Sequence, residues 1–147
     1  MIMKGSYVLI LRLTGEVDLT VGKLGKFHFA KGYYYYIGSA LGTGGFKRVI
    51  RHFNVAKGKN STRKWHIDHL LPHSEVLCAV LLPSQQALEC KTAQILERSL
   101  EAMPGFGCSD CKCLSHLLFC EKDIRNEIMD LTAMLTGNES IIIYPDM

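Results

Sequence analysis

Residues Val76 to Leu82 read Val-Leu-Cys-Ala-Val-Leu-Leu, with no polar residue among them. A strand with one solvated face alternates apolar and polar positions, whereas one that is apolar throughout is covered on both faces. This segment therefore predicts a central strand in a sheet lying between two layers. A second strand is predicted over Ser6 to Leu13, where Tyr7, Leu9, Leu11 and Leu13 share one face and Val8, Ile10 and Arg12 the other. Gly32 opens a third, Tyr33 to Ile37, whose four consecutive tyrosines fit a pleated surface.

Between these strands, Val17 to Val21 and Phe27 to Phe29 flank Gly22-Lys23-Leu24-Gly25 and predict a hairpin. After the turn Gly42-Thr43-Gly44-Gly45, Phe46, Val49, Ile50 and Phe53 recur at the spacing of one buried helical stripe. Asn54 to Lys64 reads as a polar, basic loop, and Trp65 to Leu71 as a short helix stopped by Pro72. Ser84 is suited to cap a helix from about Gln85 to Met103, which Pro104-Gly105-Phe106-Gly107 would end. A short strand from His116 to Cys120, a helix from about Asp123 to Leu135 and a terminal strand from Ile141 to Tyr144 complete the chain. The pattern predicts an α+β fold: a small, mainly antiparallel sheet flanked by helices, with an extra hairpin and a C-terminal helix.

The 147 residues, 48% of them hydrophobic, are read as a single domain over 1–147 with a core of its own. No apolar run approaches the roughly 20 residues that span a bilayer, and the start Met1-Ile2-Met3-Lys4-Gly5 lacks signal-peptide features. The expected location is the cytoplasm, with no membrane partner and the six cysteines reduced. A net charge of +3 does not by itself make a nucleic-acid binder. Its distribution says more. Lys47, Arg48, Arg51, Lys57, Lys59, Arg63 and Lys64 fall within 18 residues, with Asp68 just beyond. Such a run can contact phosphates or form a solvated face.

Two places carry chemistry. On the first helix Arg48 and His52 are i and i+4, hence neighbours, and lie off the Phe46/Val49/Ile50/Phe53 stripe. A guanidinium beside a titratable imidazole suits phosphodiester cleavage, the first for developing charge and the second for proton transfer. The plain alternative is an exposed helix face. On the later helix, Glu89 projects toward the core side of a Leu88/Ile95/Leu96/Leu100/Met103 stripe. An inward carboxylate is costly unless paired or bound to a metal. A hard cation held by one or two carboxylates plus water and phosphate would suit it, as would a buried Glu–Arg or Glu–Tyr pair. Tyr7 and Tyr36 lie on strands that could pair, and Gly38 ends the second of them where close approach is needed.

Tyr36-Ile37-Gly38-Ser39-Ala40, Arg48-x3-His52 and a later helix with an inward glutamate together resemble the GIY-YIG nuclease superfamily. Longer stretches resemble its small stand-alone Uri-type branch: Gly32 to Ala40, Trp65-His66-Ile67-Asp68, Glu89-Cys90, and Gly105-Phe106-Gly107-Cys108-Ser109-Asp110-Cys111-x-Cys113-x-Ser115-His116-Leu117. The resemblance implies a three-stranded, mainly antiparallel sheet flanked by helices. It implies metal-dependent hydrolysis of phosphodiester bonds in nucleic acid, DNA foremost, with one Mg²⁺ or Mn²⁺ on Glu89. Tyr7, Tyr36, Arg48 and His52 would complete the catalytic set, and Gly38, Ser39, Arg51, His66 and Asp68 would line the groove. A catalytically weak nucleic-acid-binding module of the same fold is the alternative.

Cys108-x2-Cys111-x-Cys113-x2-His116 offers four soft donors, which could hold zinc in an interaction domain. The same residues could form a tight turn packed by small thiols, or a redox pair at Cys108 and Cys111. His66, His69 and His73 form a looser cluster, His66 and His69 being close enough to share an ion on a helix.

Overall fold

A computed structural model describes residues 3–107 and 115–145. Its order is β1 (Gly5–Leu13), β2 (Val17–Thr20), β3 (Lys26–Phe29), β4 (Gly32–Ala40), α1 (Lys47–Ala56), α2 (His66–Leu70), β5 (Glu75–Pro83), α3 (Glu89–Leu96), β6 (Glu101–Ala102), β7 (Leu117–Cys120), α4 (Arg125–Thr136) and β8 (Ile141–Ile143). Among the described residues no helix is long and apolar enough to cross a membrane.

The fold is α+β, as the pattern predicts. Six strands form one sheet in the order β6-β7-β4-β1-β5-β8, with antiparallel neighbours throughout. The three-stranded sheet that the resemblance implies is thus widened, β7, β6 and β8 extending β4-β1-β5 on both sides. β2 and β3 pair separately as the expected hairpin around a 3-10 turn at Gly22–Leu24.

Alternation along the strands divides the core between two faces. Tyr7, Leu9, Leu11, Tyr34 and Tyr36 pack with Val49 and Phe53 of α1, Ile67 and Leu70 of α2, and Phe29 of the hairpin. On the opposite face Val8, Ile10, Tyr35, Ile37, Val80 and Leu82 pack with Ala93 and Leu96 of α3 and Ile128 of α4. β5 carries residues of both clusters, which is why its sequence shows no polar alternation.

Two helices differ from their sequence patterns. In α1, Ile50 is 49% exposed while His52 is completely buried, so the buried stripe is Val49, His52, Phe53 and Val55. The helix is turned because an imidazole with a hydrogen-bond partner inside is admitted in place of isoleucine. The helix predicted from Gln85 to Met103 is only α3, Glu89–Leu96. Ser84 does not cap it: its amide donates to the Lys4 carbonyl and its hydroxyl accepts from the Gln86 amide, extending the sheet edge into a local turn. At the other end Glu101 and Ala102 pair with Phe119 and Leu118 of β7, so strand pairing overrides local helix propensity. The segment read as a basic loop from Asn54 gives its first three residues to α1.

Candidate functional site

β1 and β4 pair so that Tyr7 lies opposite Gly38 and Leu9 opposite Tyr36, which puts both tyrosines on the α1 face. Gly38 is required there. A methyl on its α-carbon would overlap Cζ and Oη of Tyr7 and lie 2.8 Å from Cε2. Glycine lets the Tyr7 ring lie against the backbone of the neighbouring strand.

α1 brings His52 onto this pair. The Tyr7 hydroxyl and His52 Nε2 are 2.6 Å apart in the interior. The His52 ring stands 5.5 Å from that of Tyr7 and 5.9 Å from that of Tyr36, the latter nearly perpendicular, while the two tyrosine rings are 6.4 Å apart. With Tyr7 as donor, Nε2 accepts and the ring proton sits on Nδ1, which is buried without a hydrogen-bond partner among the described residues. Burial, reinforced by Arg51 and Arg48 and opposed by the Asp68 charge, depresses the pKa of His52 to about 3. Burial and the nearby Tyr36 push the Tyr7 phenol well above its ordinary value. Burial also raises Tyr36 to about 12, against the pull of Arg48. All three rings are neutral near pH 7.

A cationic rim adjoins the trio. Arg48 donates to the Ser39 carbonyl at 2.8 Å, its guanidinium carbon 4.6 Å from the centre of the Trp65 ring. Arg51 lies 4.2 Å from the same ring and Lys64 Nζ 5.4 Å. Trp65 in turn stands edge-on to His52 at 5.9 Å. Arg51 is clamped by Asp68 through two bonds of 2.8 and 2.9 Å. Asp68 Oδ2 also accepts the backbone amides of Lys64 and Trp65. Burial raises the Asp68 carboxyl, but Arg51 and the two amides together hold it below its ordinary range. With its oxygens occupied by these donors, Asp68 anchors the groove and is not a metal ligand. Trp65 carries the cations on its ring, and the Arg48/Arg51 spacing of i and i+3 was the available signal.

His66 accepts the Gly107 amide at Nδ1, 2.8 Å away, and packs on Phe106. It thereby holds the Phe106-Gly107 turn, where a methyl on Gly107 would approach Tyr36 Cε1 to 3.1 Å. Burial and His69 lower its pKa. Its Nδ1 is thus engaged by an amide, and His73 is exposed. No group of three or more metal-type donors occurs among the described residues, so the His66/His69/His73 cluster is not formed as a metal site.

Glu89 is the sequence-derived site residue that the structure sets apart. In the first turn of α3, its Oε2 accepts the Ser6 hydroxyl at 3.1 Å. Ser6 precedes Tyr7, so its side chain points to the α3 face. Ser6 is paired with Ser39, whose carbonyl Arg48 holds. Glu89 therefore sits at the same end of the sheet as Tyr7 and Arg48, but across it. The alternative to a metal ligand, a buried Glu–Arg or Glu–Tyr pair, is not formed; the partner is a serine, which hydrogen-bonds the carboxylate without neutralising it. No described residue bonds Oε1. One half-buried carboxylate fits a hard cation held largely by water and phosphate oxygens, and it fits no all-protein cage.

Cys108, Cys111 and Cys113 of the predicted soft-donor set lie outside the described residues. The fourth member, His116, is buried, with Nε2 3.7 Å from the sulfur of Cys90. Burial lowers its pKa, partly offset by the charge of Glu89.

Against known proteins, a family model matches residues 6–136, a span running from β1 through α4. The chain belongs to the family described as Domain of unknown function DUF123. The DUF123 match contains every site residue named above. No curated protein and no solved structure matches the chain.

Proposed function

We propose that this DUF123 chain is a metal-dependent endonuclease of the GIY-YIG type, hydrolysing phosphodiester bonds in nucleic acid, DNA foremost, with the cytoplasm as its setting. The observation carrying the proposal is the 2.6 Å contact of Tyr7 with His52, next to Tyr36 and beside a rim of Arg48 and Arg51. A buried phenol–imidazole pair moves protons, and adjoining guanidiniums hold an anion and offset charge developing on it.

In this reading the scissile phosphate lies against Arg48 and Arg51. An attacking water gives its proton to Tyr7 Oη as Tyr7 passes its own to His52 Nε2. As the P–O bond to the leaving oxygen breaks, the proton taken up by neutral His52 returns through Tyr7 to that oxygen, because burial disfavours its staying on the imidazole. Tyr36, packed against both, fixes the ring geometry and presents a second hydroxyl. Glu89, on the opposite face at that end of the sheet, would hold a Mg²⁺ or Mn²⁺ ion, and such an ion when bound supplies Lewis-acid stabilisation to a phosphate group.

Cleavage of duplex, single-stranded and branched DNA and of RNA with Mg²⁺ or Mn²⁺ tests the proposal. Wild type should cut at least one substrate. Tyr7→Phe should lower the rate by about 10² or more, Arg48→Ala by about 10²–10³, and Glu89→Ala should abolish metal-dependent cleavage. Wild type that binds nucleic acid yet cuts none of these with either metal sinks the enzyme reading. A non-catalytic binding module is the second reading. It is favoured by the bond between Glu89 and Ser6, which keeps the carboxylate on the face away from Tyr7.

A further inference from the structure

We infer that His66 is a substrate-binding residue: its Nε2–H donates to a non-bridging oxygen of a phosphate flanking the scissile one, at the Tyr36 end of the ring trio. Trp65 and His66 are consecutive, and they reach different members of that trio. Trp65 stands against His52 and carries the cations. His66 packs at 5.6 Å on Phe106, whose ring lies 6.4 Å from that of Tyr36. Gly107, which bonds His66, is so near Tyr36 that a methyl on its α-carbon would lie 3.7 Å from Oη.

The imidazole is set up as a donor. An amide N–H only donates, so the 2.8 Å bond from Gly107 makes Nδ1 the acceptor and leaves the ring proton on Nε2. Burial and His69 depress the ring's pKa, which keeps it neutral near pH 7 and preserves that tautomer. Gly107 has a φ of 74°, a conformation suited to glycine, so the amide that selects the tautomer is itself fixed by the backbone. Nε2 has no hydrogen-bond partner among the described residues and, unlike His52 Nδ1, is not sealed from solvent. A fixed, solvent-facing N–H suits an acceptor-only group. Phosphodiester oxygens are of that kind on every nucleotide, whereas the pattern of a base edge varies with sequence. The guanidiniums hold the anion, and this neutral donor fixes how the backbone runs past Tyr36. The inference rests on the proposed nucleic-acid groove and does not require that the strand be cut.

The test measures affinity for DNA and RNA oligonucleotides in EDTA, together with melting temperature, for wild type, His66→Asn and His66→Gln. The asparagine carboxamide oxygen sits where Nδ1 does and can accept the Gly107 amide, but nothing replaces Nε2. The glutamine nitrogen reaches the Nε2 position and can donate, but the Gly107 amide loses its acceptor. His66→Asn should therefore melt as wild type does and bind about 10-fold or more weakly, the loss of one hydrogen bond to a charged acceptor. His66→Gln should melt lower and bind as wild type does. A single methylphosphonate, which exchanges one phosphate oxygen for a methyl group, should weaken wild-type binding at one linkage and leave His66→Asn unmoved there. Equal losses of affinity in both variants, or none in His66→Asn, overturn the inference, since a histidine that only holds the turn would follow the melting temperature. So does a methylphosphonate scan with no such linkage. Wild type that binds without cutting removes only the nuclease; wild type that binds no nucleic acid overturns both.

Discussion

His52 and Gly38 bind the site together at the level of single residues. His52 is protonated in the unfolded chain below about pH 6.5, whereas in the fold its pKa is about 3. Between those values the unfolded state holds the extra proton, so stability falls as pH drops from about 6.5 toward 3. His52→Gln should flatten that part of the melting-temperature profile; an unchanged slope would mean that His52 does not carry it. Gly38 makes a different prediction. Gly38→Ala forces Tyr7 or the strand to move, with an expected cost of about 1–3 kcal/mol and a lower denaturant midpoint. Because the displaced ring is the one bonded to His52, the variant should also lose its histidine-dependent pH profile.

α1 and α2 are joined by an ion pair rather than by apolar packing alone. Asp68 is buried, and beyond Arg51 it accepts the amides of Lys64 and Trp65 at the start of α2. Removing it strands a guanidinium and two amides. Asp68→Ala should destabilise by about 3 kcal/mol, the low end for a buried pair because the Arg51 side chain is 21% exposed. Its lowered carboxyl pKa sets the sign with pH: the stabilisation is complete above the ordinary carboxylate range and is lost as acid titrates the folded carboxyl. Chemical denaturation at neutral and acid pH should show the wild-type advantage over Asp68→Ala shrinking with acid. A constant difference would mean that the pair is not what joins the helices.

Over the whole molecule, cations gather along α1 and the segment leading to α2, three of them on the Trp65 ring. If that surface tracks a nucleic-acid backbone, affinity falls with salt in proportion to the phosphates neutralised. Lys59→Ala and Arg63→Ala, both at exposed positions outside the proposed catalytic set, should each reduce the log–log salt slope by up to about 0.9 on duplex DNA. Trp65, the sole tryptophan, lies among Arg48, Arg51 and Lys64 and reports binding by its fluorescence. A salt slope unmoved by both substitutions would exclude this surface as the contact.

Much of the architecture was legible in the chain. The unbroken apolar run of β5, the alternation of β1 and the tyrosines of β4 each specify a strand through local side-chain patterning, and Gly22 to Gly25 specify a turn through backbone freedom. Tyr7, Tyr36, Arg48 and His52 could be singled out as candidates because the residue types and spacing that carry the family resemblance are written in the sequence. Long-range competition decided the rest. Glu97 to Met103 read as helix until β7 offered Glu101 and Ala102 a strand partner. α1 turned to bury His52 and expose Ile50 because Tyr7, 45 positions away, supplied a hydrogen bond. Glu89 fell across the sheet from Tyr7, and Cys90 met His116, through the packing of α3. Period and turn chemistry act between near neighbours and so can be read along a chain. Which polar groups satisfy one another in the interior depends on distances that exist only once the sheet and helices have come together.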